Sequence, residues 1–226
     1  MRIAVLGTGM VGQAVAARLD QLGHDVTLGT REPDETRTRT ATDRMGNPGV
    51  GTWLEQHPSI GLATFAAAAG AAELVVNATN GSASLEVLDQ AGADNLAGKV
   101  LVDIANPLDF SQGFPPTLFV KDTDSLGEQI QRAFPDTRVV KTLNTMNASL
   151  MAHPETLAGG DHSVFVSGND DIAKKTVAEL LTSMGHTDVI DLGDLSTARG
   201  TEMLLPVWVR LMNKLGTPSF NFKIVR

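Results

Sequence analysis

Hydrophobic positions along the chain switch repeatedly between two periods, and the switching predicts its elements. Arg2–Leu6 is a short apolar run of β type, and it stops at Gly7-Thr8-Gly9-Met10-Val11-Gly12. Apolar residues then recur at Val11, Ala14, Val15, Leu19 and Leu22, the spacing of one buried helix face. Gly23-His24 closes that helix, and Asp25–Gly29 reads as the next strand. Further strands are predicted at Ile60–Thr64, Glu73–Ala78, Lys99–Ile104 and Arg138–Thr142, with helices over Phe65–Ala72, Ser82–Ala91 and Ser125–Phe134. Glu73–Ala78 is a nearly continuous apolar run, as in a strand buried on both faces of a parallel sheet. Six strands with helices between most of them is the full count of a doubly wound α/β sheet.

The alternation continues in the last third. Ser163–Gly168 and Thr187–Leu192 read as strands, Asp170–Met184 and Thr201–Leu215 as helices, and Phe220–Ile224 alternates like an edge strand. The expected organisation is therefore a dinucleotide-binding domain over residues 1–150 and a small C-terminal α/β appendage over 151–226. Glu32–His57 and Pro107–Asp124 lack periodicity and are expected as long loops, the first with a short helix near Thr52–Gln56 and Trp53 as an anchor. Loops of that length are often functional.

Strand, glycine loop, helix and strand in this order form the opening unit of a Rossmann-like fold. The glycines have separate physical jobs. Gly7 permits the tight turn out of the strand, Gly9 lets backbone approach a pyrophosphate, and Gly12 allows helix to pack on strand. The helix then presents free N–H groups and its positive dipole end to the phosphates. An ordinary βα turn is the bland alternative. The end of the second strand selects the nucleotide: an NAD site usually has an acid there for the ribose 2′-hydroxyl, whereas this chain has Gly29-Thr30-Arg31. A hydroxyl and a guanidinium suit the 2′-phosphate of NADP, with Arg37, Arg39 and Arg44 available to extend a positive rim. The alternative is a solvated Arg31, with Glu32 as the acid.

The crevice of such a sheet lies outside the carboxyl ends of its strands, where the order reverses. Waiting there are Asn77, Thr79 and Asn80 after the fourth strand, Asn106 after the fifth, and Lys141, Asn144 and Asn147 at the sixth. Amides and hydroxyls can orient a carboxamide and a flat ring, and Lys141 can offer charge; each is also a plausible turn residue.

Composition narrows the chemistry. The net charge of −8 over 226 residues argues against nucleic acid or an anionic membrane as main partner. Without cysteine there is no thiolate chemistry, and no apolar run approaches the roughly twenty residues of a membrane helix. A signal peptide is not expected, because the nucleotide strand begins at Arg2, and the cytoplasm is the simplest address. Without tyrosine, Tyr-Lys acid catalysis has no donor, and the five histidines form no relay or metal spacing. The expected chemistry is hydride transfer between two bound cofactors, for which the protein supplies position and a dry pocket.

At Ile3–Gly12, Gly29-Thr30-Arg31, Val139–Asn147 and the tail from Thr201 through Pro206 to Lys223, the chain resembles the NADP oxidoreductases dependent on the deazaflavin coenzyme F420. That family is similar to the cytosolic domain of certain membrane ferric reductases. The resemblance implies a Rossmann domain with a small C-terminal domain, often a homodimer, acting on a small redox partner. It implies that Thr8, Met10 and Val11 line the pyrophosphate, and that Thr30 and Arg31 take the 2′-phosphate. The backbone near Ala78 and Ala105 would flank the nicotinamide, with Asn77, Thr79 and Asn106 beside it. Lys141 and Asn144 are the candidate catalytic residues. Two other readings are an NADPH-dependent carbonyl or imine reductase with Lys141 as acid, and a non-enzymatic NADP(H) sensor.

Overall fold

The computed structural model describes residues 1–42 and 46–226, so Arg44 lies outside the described residues. The first part of the chain runs β1 (Arg2–Leu6), α1 (Met10–Gln21), β2 (Asp25–Thr30), α2 (Pro33–Thr38), α3 (Val50–Gln56), β3 (Gly61–Thr64), α4 (Phe65–Ala71), β4 (Leu74–Asn77), α5 (Ser84–Ala91), α6 (Ala93–Leu96) and β5 (Val100–Asp103). It continues β6 (Leu108–Asp109), β7 (Thr117–Leu118), α7 (Leu126–Ala133), β8 (Arg138–Thr142), α8 (Ala148–Ala152), β9 (Ser163–Gly168), α9 (Asp171–Met184), β10 (Asp188–Asp191), α10 (Ala198–Met203) and α11 (Leu205–Leu215).

Strands β3, β2, β1, β4, β5 and β8 lie side by side in that order and run parallel. This is the doubly wound arrangement, with its reversal between β1 and β4. The pleat sends alternate residues of β1 into two cores. Ile3 and Val5 join Val15 and Leu19 of α1 and Val177 of α9 on one face; Ala4 and Leu6 join Phe65, Leu88 and Ile130 on the other. Each fully buried aliphatic side chain contributes roughly 1.5–3 kcal/mol, and the two cores fix which face every helix covers. Among the described residues no helix is long and apolar enough to cross a membrane.

The last third extends this same sheet. β9 pairs antiparallel with β8, Lys141 opposite Ser167, and β10 pairs parallel with β9. The expected Thr201–Leu215 helix is split, because Pro206 cannot donate a helical N–H and instead occupies the first turn of a new helix, α11. The expected edge strand Phe220–Ile224 does not form. Phe222 accepts one backbone bond from Ser163 N (2.9 Å), but Ile224 N is taken by the Ser163 hydroxyl (2.9 Å), which interrupts the ladder.

Neither long excursion is structureless. α2 and α3 fill the first, where Gly51 lets its helix approach so closely that a Cβ would lie 2.1 Å from Arg37 O. Trp53 is buried there and stacks on His57, ring centroids 4.1 Å apart. The second excursion contains the small hairpin β6–β7.

A buried ion triad ties the parts together. The register sets Lys141 opposite Asp103. Lys141 Nζ lies 2.8 Å from Asp103 Oδ2 and 2.9 Å from Glu202 Oε1 of α10, and it also donates to Ala105 O. All three side chains are essentially inaccessible. Asp103 Oδ1 accepts from Asn77 Nδ2 (2.8 Å) and Ala105 N (3.2 Å). The Glu202 carboxylate accepts from Leu126 N (2.9 Å) and Gly127 N (3.2 Å), free donors in the first turn of α7. Burial pushes the Lys141 ammonium down, but Asp103 and Glu202 outweigh it and hold it above the ordinary lysine value. The positive end of α7 offsets the second carboxylate.

Two outcomes follow for stability. Lys141→Met strands two buried carboxylates, so denaturant unfolding should show a loss of about 3–5 kcal/mol; an unchanged midpoint would dissolve the triad's structural role. His186 is enclosed with its Nε2 3.1 Å from Met151 O, and burial holds its pKa down at about 4, against 6.5 for a freely solvated imidazole. Below pH 6.5 the unfolded chain takes up a proton that the folded chain refuses until about pH 4. Stability should therefore be full above this window and fall through it by about 3 kcal/mol. His186→Gln should flatten that fall in urea titrations at successive pH values.

Candidate functional site

The glycine loop divides its labour geometrically. Gly7 has φ +116°, and a Cβ there would lie 2.6 Å from Ala78 O. Gly12 starts α1 so close to the loop that its Cβ would meet Gly7 O at 2.1 Å. Gly9, the N-cap of α1, has nothing within 4 Å of its Cβ position. Its missing side chain therefore opens onto the space before the helix. No side chain caps α1 and no acid stands in its first turn, so its N–H groups and dipole face an open cradle. A pyrophosphate fits this cradle.

Beyond the end of β2 lies a hollow of about 270 Å³. Thr30 is buried in its wall, with Oγ1 2.8 Å from Thr36 Oγ1. Arg39 donates to Thr36 Oγ1 (2.6 Å) and to Thr8 Oγ1 (3.3 Å), which puts a guanidinium between the hollow and the glycine loop. Arg31 is exposed and lies 3.5 Å from Glu86. Of the arginines expected at the rim, Arg31 and Arg39 line the hollow and Arg37 does not; Glu32 and Glu35 also border it. Thr36 and Arg39 meet because they are three apart around α2, a relation that reading the segment as a loop concealed.

A larger cavity, about 460 Å³, adjoins the loop at the sheet's reversal point. Met10 and Val11 form one side. The turns after β4 and β5 supply Ala78, Thr79, Asn80, Ile104, Ala105 and Asn106, and the segment after β8 supplies Asn144, Met146 and Asn147. α11 closes it with Leu205, Trp208 and Met212. Among the described residues, no Asp, Glu, Lys, Arg or His side chain lines it. Asn106 and Asn144 clamp two of these turns: Asn106 Nδ2 donates to Asn144 O (2.9 Å), and Asn144 Nδ2 donates to Asn106 Oδ1 (3.0 Å) and Thr201 O (3.1 Å). The preceding Leu143 is buried at φ +61°, a conformation costing roughly 1–2 kcal/mol for such a side chain. It turns the chain so that Asn144 meets Asn106.

Two of the residues expected on the site are not on its wall. Lys141 is sealed in the triad beneath Ala105, since Asp103 and Glu202 both need its charge. Asn77 is fully buried, donating to Asp103 and to Ser84 Oγ (3.1 Å) while its Oδ1 accepts from Thr79 Oγ1 (2.7 Å). Conversely, the α11 wall was not expected. Leu205, Trp208 and Met212 follow a helical stripe that reads as ordinary core, yet the stripe faces the cavity. Trp208 stacks on Phe220 with centroids 5.2 Å apart, and its indole N–H has no partner among the described residues.

Residues 2–107 match the family model described as NADP oxidoreductase, coenzyme F420-dependent. The chain is similar to a proposed F420-dependent NADP reductase from Arthrobacter sp. FB24, whose crystal structure is known at 1.70 Å. The two are 64% identical over the full length of both, with a TM-score of 0.95. It is 26% identical to the F420-dependent NADP reductase of Methanocaldococcus jannaschii, covering 99% of this chain and 98% of that one. It is 30% identical over 92% of its length to the metalloreductase STEAP3 of Rattus norvegicus, of whose length it spans 38%. The glycine loop, the sheet order and the end-to-end likeness agree: the chain is an NADP-dependent oxidoreductase and belongs to the coenzyme F420-dependent NADP oxidoreductase family.

Proposed function

We propose that the protein exchanges a hydride directly between NADP(H) and a deazaflavin of the coenzyme F420 type in the adjoining cavity. The observation that carries this reading is the cavity wall, formed by thioethers, an indole, aliphatic groups and amides with no ionisable side chain among the described residues. When bound, the nicotinamide gives or takes two electrons with one proton nucleus, the deazaflavin is the other party, and the balancing proton is exchanged with water. Every other contribution is positional. Thr8, Gly9, Met10 and Val11 hold the pyrophosphate. Thr30, Thr36, Arg31 and Arg39 receive the 2′-phosphate, and the backbone at Ala78–Thr79 and Ala105–Asn106 flanks the nicotinamide. Residues 1–150 thus bind nucleotide, and residues 151–226 supply the α11 wall that keeps water out. Carbonyl or imine reduction needs a proton donor at the acceptor, and Lys141, the donor that reading requires, is enclosed.

Turnover of NADPH with a deazaflavin, followed by absorbance, tests the reading. Log kcat should stay nearly flat between about pH 6 and 9, because no wall group titrates there. Absence of deazaflavin turnover, with a carbonyl or imine reduced instead, would overturn it. Arg39→Ala should weaken NADP by about ten- to a hundredfold, the scale of one charge-assisted hydrogen bond. NAD should be nearly unaffected, and Arg31→Ala should cost less because Arg31 is exposed. Calorimetry with both nucleotides reads the difference, and equal losses for the two would move the 2′-phosphate elsewhere. Gly9→Val should abolish dinucleotide binding while lowering the melting temperature only slightly, since a Cβ there has no protein atom within 4 Å.

A further inference from the structure

A second hollow, about 620 Å³, opens beside the cavity between the β6–β7 hairpin and the turn leading into α5. The two spaces share Asn80, Gly81, Leu108 and Phe110. Backbone approaches backbone closely at the boundary between them: a Cβ on Gly81 would lie 2.0 Å from Asn106 O. The far side presents Leu85, Phe110 and Phe119, all large and exposed, and such a cluster of uncovered apolar side chains marks a binding surface more often than a resting one.

We infer that this hollow is the subsite for the non-reacting part of the second substrate, and that this part is uncharged and hydroxyl-bearing, not polyanionic. The inference rests on the deazaflavin reading above and deepens it. Continuity with the cavity places the hollow where a chain leaving a bound ring must pass. Its polar groups are Asn80, Ser82, Ser111 and Gln129, amides and hydroxyls that match hydroxyls and apolar faces. Among the described residues, Asp109 is its one ionisable lining residue, and no lysine, arginine or histidine lines either space. Asp109 is held as an acceptor by Ser111 N at 2.8 Å. Of the cations on α7 and α10, Arg132 is paired with Asp124 at 2.7 Å and Arg199 with Glu128 at 2.5 Å, and Lys121, two residues after Phe119, is not among the residues that line the hollow. A string of negative charges entering here would meet a carboxylate and no counter-charge, whereas on the other side of the glycine loop Arg39 awaits a phosphate.

Fluorescence titration of NADP-saturated protein separates the cases. The probes are coenzyme F420, whose ring bears a polyanionic phosphate-and-carboxylate tail, and the ribityl deazaflavin without that tail. The tail-less compound should bind at least as tightly as coenzyme F420. Raising salt from about 0.05 to 0.5 M should leave the binding of coenzyme F420 unchanged or strengthen it, because repulsion is screened. Asp109→Lys should shift the ratio of dissociation constants about tenfold toward coenzyme F420. Coenzyme F420 binding tenfold tighter than the tail-less compound, with affinity lost to salt, would overturn the inference and leave the reading intact. Turnover is the separate readout for the reading: with neither deazaflavin turned over, the reading fails and the inference falls with it.

Discussion

The lysine in the middle of the sheet is the constraint around which the other parts are arranged. A buried ammonium is tolerable only with its charge neutralised and its protons accepted. Lys141 finds Asp103 on the neighbouring strand, Ala105 O just above it and Glu202 on a helix far downstream. Such a triad is weak evidence of net stability, since its desolvation offsets its attraction. Its effect is to admit one arrangement. Glu202 reaches Lys141 only if α10 docks over the start of α7, and α10 passes almost directly into α11. The wall carrying Trp208 and Met212 is thus placed by a charge on the opposite side of the cavity floor.

The same triad explains what was and was not legible in the sequence. Local signals sufficed for β1, the glycine loop, α1 and β2, where glycine positions and hydrophobic spacing fall within thirty residues and the structure follows them. Of the short helices, α3 was expected near Thr52–Gln56 and forms over Val50–Gln56, whereas α2 was not legible. α2 has six residues, Pro33–Thr38, mostly polar, too few to show a stripe, and α3 depends on the close approach that Gly51 allows. That concealed Thr36 and the placement of Arg39. Lys141 was correctly seen at the carboxyl end of a central strand, but its partners are non-local, and position alone cannot distinguish a proton donor from a structural cation. Asn77 is the same kind of case, its amide consumed by Asp103 and Ser84.

Charge is sharply partitioned across the site. Arg31 and Arg39, with Glu32 and Glu35, border the hollow at the end of β2, while among the described residues the adjoining cavity has no ionisable lining and the hollow beyond it has only a carboxylate. The chain's overall −8 makes this a local achievement. Affinity for a phosphate comes from a few donors fixed in place and not from the field of the whole molecule; in the proposed site that donor would be Arg39, held by Thr36 and Thr8.

That partition suits the chemistry on physical grounds. A charge beside two stacked redox rings in a water-poor space would act strongly at short range, favouring one charge state of the pair over the other. A wall of thioether, indole and amide groups is closer to neutral toward both, so under the proposed hydride exchange the ligands' own potentials would set the direction. The polar contacts that remain lock the protein to itself: Asn144 and Asn106 hold each other, and Leu143 is kept in a left-handed conformation to let them meet. Rigidity is thereby supplied at the cavity rim, where a displacement of an ångström would matter most to transfer between rings, while the ionic groups that secure it stay beneath the floor, out of reach of the reacting atoms.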